Sequence, residues 1–402
     1  MPFDNAHRPA SPRGLAGQLP KPMPHHLTGV LAPTTDAASA TRLVPLDALR
    51  GIIMLVMALD HANVFIAHAH PPPEMWTGFF PRYDSALPFF TRFVTHFAAP
   101  GFFFLMGTAM ILFAESHRKA GWKESEIVRH LMVRGVLLIA LQFLVENRAW
   151  QLGEQAASFP LYFGVLYGLG AAMMVSALML RLPSVVLIGT SIATIVATHL
   201  WVLNATDRNV PVVIRALMLP GSTGNVLVYY PLIPWLGVVL FGMVLGRWLL
   251  KDRAQAYRRS LWLGLVFLVV FFIVRMWGGF GNIRSVEGTD WISFLNVVKY
   301  PPSLVFLLLM LGVDLILLFM FHKLEWNRLL VPLAVFGKSP LFFYLMHLYL
   351  YAVIGIALGP RGTGILGMYP YWILGLIILY LLCWSYGQIK QRQPANSLLR
   401  FF

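Results

Sequence analysis

The chain has 402 residues, of which 58% are hydrophobic and only 12% charged, and its mean hydropathy is +0.68. A typical soluble domain carries about 25% charged residues, so this composition excludes a soluble globular protein. The net charge of +14 does not indicate nucleic-acid binding, because basic residues flanking membrane helices account for it and no RNA- or DNA-binding motif is found. The single cysteine, Cys383, excludes an intrachain disulfide and a cysteine-based metal site.

Residues 1–41 are rich in Pro, Ala, Ser, Gly and His and lack the apolar core of a signal peptide. We predict a disordered cytoplasmic tail there, a transmembrane domain at 42–388 and a cytoplasmic C-terminal tail at 389–402. Apolar runs long enough to cross about 30 Å of hydrocarbon recur along the domain. About ten spans are predicted, at 43–67, 93–113, 129–146, 161–180, 184–203, 231–250, 260–278, 302–321, 334–358 and 370–387.

The basic residues test this map. With a cytoplasmic N-terminus, Lys and Arg residues are about twice as frequent on the cytoplasmic side as on the opposite side. This bias predicts an all-α, polytopic helix bundle with both termini in the cytoplasm and an even number of spans. The stretch 210–230 is ambiguous, because Pro211, Pro220, Gly221 and Gly224 indicate an irregular or re-entrant segment.

The first span holds the densest set of ionisable residues, Asp47, Arg50, Asp60 and His61. Such groups cost several kcal/mol inside a membrane unless they are paired or hydrated. Asp47 and Arg50 are neighbours on one helix face, either as an ion pair anchoring the cytoplasmic end or as part of a functional cavity. His61 returns to nearly the same stripe. Asp60 points about 100° away from His61, where it could orient a histidine on a neighbouring helix.

The second span begins with Arg92 and His96, and the topology places His96 at the depth of His61. The two histidines could face one aqueous cavity, where a neutral imidazole suits general base catalysis. Alternatively, each satisfies a buried backbone carbonyl. His68 and His70 lie in the outer loop between the first and second spans. An H-x-H pair without a third ligand does not predict a metal site.

Three later residues are further candidates. Lys299 lies at the outer mouth of a span, where it could meet an anionic substrate group or merely extend to the interface. Lys338, near the cytoplasmic end of its span, could join Arg50 and Arg134 in a basic pocket for a phosphate-bearing donor, or be an ordinary flanking charge. His347 is expected at mid-depth, facing the cavity.

The chain contains no G-x-S-x-G, Walker A or H-E-x-x-H motif and no convincing nucleophile. Direct transfer between two bound substrates is therefore easier to reconcile with the sequence than a covalent intermediate, unless a histidine carries the acyl group.

A family resemblance lies in five segments, in this order along the chain: LVPLDALRGIIMLVMALDH, FTRFVTHFAAPGFFFLMGTA, YPLIPWLGVVLFGMVLG, KYPPSLVFLLLMLG and FGKSPLFFYLMH. Together they resemble the bacterial membrane proteins related to heparan-α-glucosaminide N-acetyltransferase, within the wider transmembrane acyltransferase group. The resemblance implies transfer of an acyl group, typically acetyl, from cytoplasmic acyl-CoA to a glycan or small-molecule acceptor across the membrane. Acetyl-CoA is then a donor substrate, and no bound cofactor is implied.

The resemblance also implies site residues. The bacterial relatives share residues that match Asp47, Arg50, Asp60, His61 and His96 here. In the animal enzyme the acceptor is a terminal glucosamine of heparan sulfate, and a histidine beyond the first helix is catalytic, which by register corresponds to His68 or His70. A location in the bacterial inner membrane, in contact with lipid, is expected.

Two rival hypotheses remain from the sequence. A transporter or flippase for a polar metabolite or lipid-linked sugar would use the same intramembrane charges as a proton relay. A non-catalytic membrane subunit is the weaker alternative. A homodimer is compatible with either hypothesis.

Overall fold

A computed structural model of the chain describes residues 43–207, 209–324, 328 and 330–393. These residues form a nearly all-α structure, as the hydropathy predicts. In chain order the helices are α1 (Val44–Ala62), α2 (Ala86–Phe93), α3 (Ala98–Lys119), α4 (Glu124–Leu141), α5 (Asn147–Gly153), α6 (Val165–Leu178), α7 (Ser184–Asn204), α8 (Val212–Leu217), α9 (Leu232–Lys251), α10 (Arg253–Trp277), α11 (Trp291–Leu295), α12 (Leu304–Lys323), α13 (Leu330–Gly337), α14 (Pro340–Leu358) and α15 (Gly364–Arg392).

Among the described residues, nine helical segments are long and apolar enough to cross a membrane. They are Val44–Ala67, Ala86–Lys119, Glu124–Gly153, Ser184–Asn204, Leu232–Lys251, Arg253–Trp277, Leu304–Lys323, Pro340–Leu358 and Gly364–Arg392. The protein is therefore a multi-pass membrane helix bundle. The predicted span 161–180 divides into a short strand and α6, whose 14 residues cover only about 21 Å. The count of ten and the cytoplasmic termini stay predictions.

One predicted span is interrupted. Residues 334–358 were expected to form a continuous helix with Lys338 inside it, but α13 ends at Gly337 and α14 begins at Pro340. Lys338 lies in the turn between them and is exposed. Proline favours a new helix start at this position, because it lacks the N–H that a continuing helix would use. The placement of Lys338 within a helical span is therefore wrong.

The irregular character predicted for 210–230 is confirmed. Three strands, β1 (Leu161–Phe163), β2 (Gly221–Thr223) and β3 (Val226–Val228), form a small sheet in the order β1-β3-β2. β2 and β3 are an antiparallel hairpin, and β1 pairs with β3 in parallel. Whether this segment re-enters the membrane stays a prediction.

The predicted tails fall largely outside the described residues. This holds for all of 1–41 and for 394–402. At the C-terminal side, α15 continues to Arg392, past the boundary predicted at 388.

The helices α3 and α9 pack with their backbones in close contact. A Cβ at Gly242 of α9 would collide with the Phe104 carbonyl of α3, and a Cβ at Gly107 would collide with the Val239 carbonyl. Small residues permit this approach, which is a common way for membrane helices to associate. The contact holds α3 in place, and the first turn of α3 contributes Ala98 to the cavity described below.

Gly242→Ala should lower the free energy of unfolding by about 1–3 kcal/mol, because the added methyl group forces the two helices apart. Gly189→Ala in α7 is the matched control, since a Cβ there meets nothing within 4 Å. The control should be neutral or slightly stabilising, because alanine favours helix. Thermal unfolding in detergent measures both variants, and equal midpoints would contradict the packing argument.

Candidate active site

A cavity of about 470 Å³ lies between the first helices, the small sheet and the loop before α12. Its walls combine ionisable and aromatic side chains. The residues that line it include Asp60, His61, His68, His70, Arg92, Thr95, Glu146, Trp150, Tyr162, Tyr229, Tyr230, Lys299, Tyr300 and Tyr344. Largely apolar helices thus enclose a polar cavity, which is a common form of small-molecule site.

Arg92 joins two carboxylates at one side of the cavity. Its Nη1 donates to Asp60 Oδ1 and Oδ2 at 2.7 and 2.9 Å. Its Nε and Nη2 donate to the two oxygens of Glu74 at 2.9 and 2.6 Å. Thr95 Oγ1 also donates to Asp60, at 2.9 Å. Arg92 is only 2% exposed, so these pairs offset the cost of burying its charge.

The loop between α1 and α2 places Glu74 against Arg92. Three prolines, 71–73, precede Glu74 and restrict the backbone. The Glu74 carbonyl accepts hydrogen bonds from the backbone N–H groups of Lys299 and Tyr300, at 3.0 and 3.1 Å. Burial raises the pKa of the Glu74 carboxyl, but the charges and hydrogen bonds of Arg92 and His96 together outweigh burial and hold this pKa well below its usual range. Glu74 is therefore a carboxylate.

His61 is hydrogen-bonded to a second histidine. His61 Nδ1 lies 2.7 Å from His347 Nε2, and His347 Nδ1 donates to the Phe343 carbonyl at 3.1 Å. In a neutral His347 the proton is therefore on Nδ1, and Nε2 is an acceptor. His61 must then donate from its own Nδ1. This leaves the lone pair on His61 Nε2, the nitrogen that a general base requires.

His347 is fully buried, and it is not among the residues that line the cavity. The expectation that it faces the cavity is wrong, because its side chain is held between His61 and its own helix. His61 lies in the last turn of α1, and a π-helical turn, Asn63–Ala67, follows this helix directly. Such turns are frequent at functional sites.

His68 and His70 both line the cavity. His70 Nδ1 donates to the Pro71 carbonyl at 2.7 Å, while Nε2 lies 3.4 Å from Asp60 Oδ1. Asp60 therefore contacts a histidine of the loop. His68 Nε2 donates to the Phe65 carbonyl at 3.0 Å. Within the described residues, no group of three or more His, Cys, Asp or Glu side chains is arranged to hold a metal ion.

His96 does not share the cavity with His61. Its side chain is buried, with Nε2 3.2 Å from Glu74 Oε1, and its ring contacts Phe93 and Phe306. The expected arrangement of two histidines in one cavity is wrong, because His96 lies in the turn between α2 and α3, packs against Glu74 and two aromatic rings, and is not among the residues that line the cavity.

Lys299 lies in the cavity wall, and only 4% of its surface is exposed. Its Nζ is 5.1 Å from the centre of the Tyr300 ring, a cation–π contact. Burial and the nearby charge of Arg92 lower the pKa of Lys299 to about 8. The side chain is therefore mainly an ammonium at neutral pH.

The candidates predicted at the cytoplasmic end are separate from this cavity. Arg50 Nη1 donates to Asp47 Oδ1 at 2.8 Å, so the two residues form an ion pair, and their role in anchoring the helix or in binding a donor stays a prediction. The backbone of Asp47 packs against Gly337, next to Lys338. These residues do not line the cavity that His61 lines, and fourteen residues of helix, about 21 Å, separate Asp47 from His61.

Several site residues escaped the sequence interpretation. Glu74 is one, although its position directly after three prolines was a usable signal. Tyr229 and Tyr230 are two more, for which no role was predicted, and they follow β3 into the cavity wall. Glu146 is another; it is buried, and its Oε1 accepts from Trp150 Nε1 at 3.3 Å.

Comparison with known protein families gives a match. The family model described as "Heparan-alpha-glucosaminide N-acetyltransferase, catalytic" matches residues 42–276, more than half of the chain. No curated protein matches the chain. The matched segment includes α1, the Glu74 loop, Arg92 and the small sheet.

Proposed function

The chain belongs to the heparan-α-glucosaminide N-acetyltransferase catalytic-domain family, and we propose on this premise that its cavity transfers an acetyl group from acetyl-CoA to an amino sugar or another glycan acceptor. The observation that carries the proposal is the His61–His347 pair. It supports a base nitrogen at the wall of a polar cavity, in a chain whose family is named for acetyl transfer.

The reaction is a direct transfer. The acceptor amine or hydroxyl attacks the thioester carbonyl while His61 Nε2 takes its proton. The new N–C or O–C bond forms, the C–S bond breaks, and the proton held by His61 passes to the departing thiolate. His347 fixes the tautomer and the orientation of His61. Asp60 holds His70 near the same cavity, and His70 is the second candidate for the base, a role for which its Nε2 must turn away from Asp60 to accept a proton.

The two substrates approach from opposite sides. The donor enters from the cytoplasmic end, where Arg50 and Lys338 supply positive charge for its phosphate groups. The acceptor enters from the outer side, near the loop that carries His68 and His70. The bacterial inner membrane is the proposed location, with the N-terminus in the cytoplasm. Arg92 forms part of the cavity wall, Asp60 and Glu74 hold it there, and His96 positions Glu74.

The test uses the purified protein in sealed vesicles, with labelled acetyl-CoA on the side of the N-terminus. A panel of amino sugars and polysaccharides is offered on the other side. We expect release of CoA together with a labelled acceptor. The same vesicles carrying the His61→Ala variant should release no CoA above background.

The result also separates the enzyme from a transporter. Movement of an unmodified acceptor across the vesicle without release of CoA would overturn the proposal and favour transport. A CoA release that needs no acceptor would indicate simple hydrolysis of the donor and would contradict transfer to a glycan.

A further inference from the structure

We propose that Lys299 is an oxyanion-binding group of the cavity, which recognises a phosphate, sulfate or carboxylate carried by one of the two substrates. The inference rests on the proposed function only for the choice of substrates. Its physical basis is a buried ammonium in the cavity wall whose hydrogen-bond donors have no acceptor among the described residues.

The two cations of the cavity differ in their contacts. Arg92 directs all three of its guanidinium nitrogens at Asp60 and Glu74, and these short hydrogen bonds use four of its five N–H donors. Lys299 Nζ has neither a hydrogen bond nor an ion pair with any described residue. Among these residues, the face of the Tyr300 ring is its recorded contact, a cation–π interaction. An ammonium offers three donors, so a ligand oxyanion can be bound without loss of an existing contact.

The surroundings of Lys299 explain how the cavity tolerates this charge. The carboxylates of Asp60 and Glu74 together balance the charges of Arg92 and Lys299, and both carboxylates act electrostatically on Lys299. This balance reduces the cost of a buried ammonium but does not provide hydrogen bonds to it. Direct contact with a ligand anion is therefore the interaction that the ammonium lacks.

Tyr229 supplies a second donor to the cavity that Lys299 lines. The rings of Tyr229 and Tyr300 lie 5.0 Å apart, so Tyr229 and the Lys299 ammonium both contact Tyr300. Burial raises the pKa of Tyr229, which keeps its hydroxyl protonated and able to donate. An ammonium and a neutral hydroxyl at one wall form a binding set for oxyanions, and the aromatic rings suit the face of a sugar.

The backbone holds Lys299 firmly in this position. Its N–H and that of Tyr300 donate to the Glu74 carbonyl, and Trp76 N donates to the Tyr300 carbonyl at 2.9 Å. The backbone of Lys299 is thus fixed relative to the loop that carries His70 and Glu74. An anion held there lies in the same cavity as His61, so the ligand is a group close to the reacting centre.

The anion could belong to either substrate, and the experiment distinguishes the two sources. Steady-state kinetics would compare the wild type with Lys299→Met, which keeps an unbranched side chain of similar length but removes the charge. The acceptors are glucosamine and glucosamine 6-phosphate. The donors are acetyl-CoA and acetyl-pantetheine, which lacks the phosphate groups. Lys299→Arg retains a positive charge, and Lys251→Met replaces an exposed lysine outside the cavity.

For Lys299→Met we expect KM to rise about 10- to 100-fold for the substrate that carries the anionic group. The KM for its counterpart without that group should change little. A rise confined to glucosamine 6-phosphate assigns the anion to the acceptor. A rise confined to acetyl-CoA assigns it to the donor. Lys299→Arg should retain most of the affinity, and Lys251→Met should resemble the wild type.

A binding measurement keeps the inference independent of acetyl transfer. Inorganic phosphate should raise the unfolding temperature of the wild type relative to chloride at equal ionic strength, and Lys299→Met should lose this stabilisation. If phosphate stabilises the two proteins equally and no KM changes selectively, the inference is overturned. If phosphate binding depends on Lys299 but no acceptor is acetylated, the oxyanion site stands and the proposed function fails.

Discussion

Replacing His61 by alanine is expected to lower kcat for acetyl transfer by about 10²- to 10⁴-fold, the usual contribution of a positioned general base. The reason is the fixed tautomer, in which His347 accepts the Nδ1 proton of His61 and leaves Nε2 unprotonated at the cavity. His347→Phe should keep the buried aromatic volume but remove this anchor. It should therefore lower kcat by less than His61→Ala, with little change in KM.

Two further variants provide a control and a test of the alternative base. His117→Ala changes a histidine at the end of α3, outside the cavity lining, and should leave transfer intact. His70→Ala tests the second candidate for the base, which lies beside the Asp60 carboxylate. If His61→Ala retains full activity and His70→Ala abolishes it, His70 is the base and the role given to His61 is wrong.

Arg92→Met should cause the largest loss of stability among single substitutions at the site. It leaves the carboxylates of Asp60 and Glu74 without their shared cation, and breaking a buried ion pair in this way costs about 3–5 kcal/mol. We expect a markedly lower unfolding midpoint in detergent, or failure to recover folded protein. Arg148→Met, at an exposed arginine, is the control and should have little effect.

Rescue distinguishes the charge from the volume of Arg92. Adding Asp60→Asn and Glu74→Gln to Arg92→Met removes both uncompensated carboxylates, so the triple variant should recover much of the lost stability. An Arg92→Met protein that unfolds at the wild-type temperature would show that the network is not important for stability. A triple variant no better than Arg92→Met would show that packing, not charge, is responsible.

The sequence was sufficient to predict a multi-pass membrane protein and some of the residues of the candidate site. Hydropathy located the long helices because each must present apolar side chains over its whole length. The cost of intramembrane charges singled out Asp60, His61 and His347, all of which the structure places at or next to the cavity. Helical periodicity also placed Asp60 and His61 on different faces, and their partners differ accordingly.

The remaining parts depend on loops and on breaks within helices. A hydropathy window averages over the turn at Lys338, so it joined α13 and α14 into one span. Depth along a helix suggested that His61 and His96 meet, but depth does not specify the path of the loop that packs Glu74 against His96. Likewise, helix periodicity does not describe Lys299, which reaches the cavity from an irregular segment pinned to the Glu74 carbonyl.

The cavity is assembled from two distant stretches of the chain, which limits how its parts can be exchanged. The family match ends at residue 276, whereas Lys299, Tyr344 and His347 come from later segments. A gene fragment cut at the matched boundary would encode His61 without the side chain that sets its tautomer. Chimaeras with a relative should therefore exchange α1 and α14 together, and related sequences should show correlated replacement at positions 61 and 347.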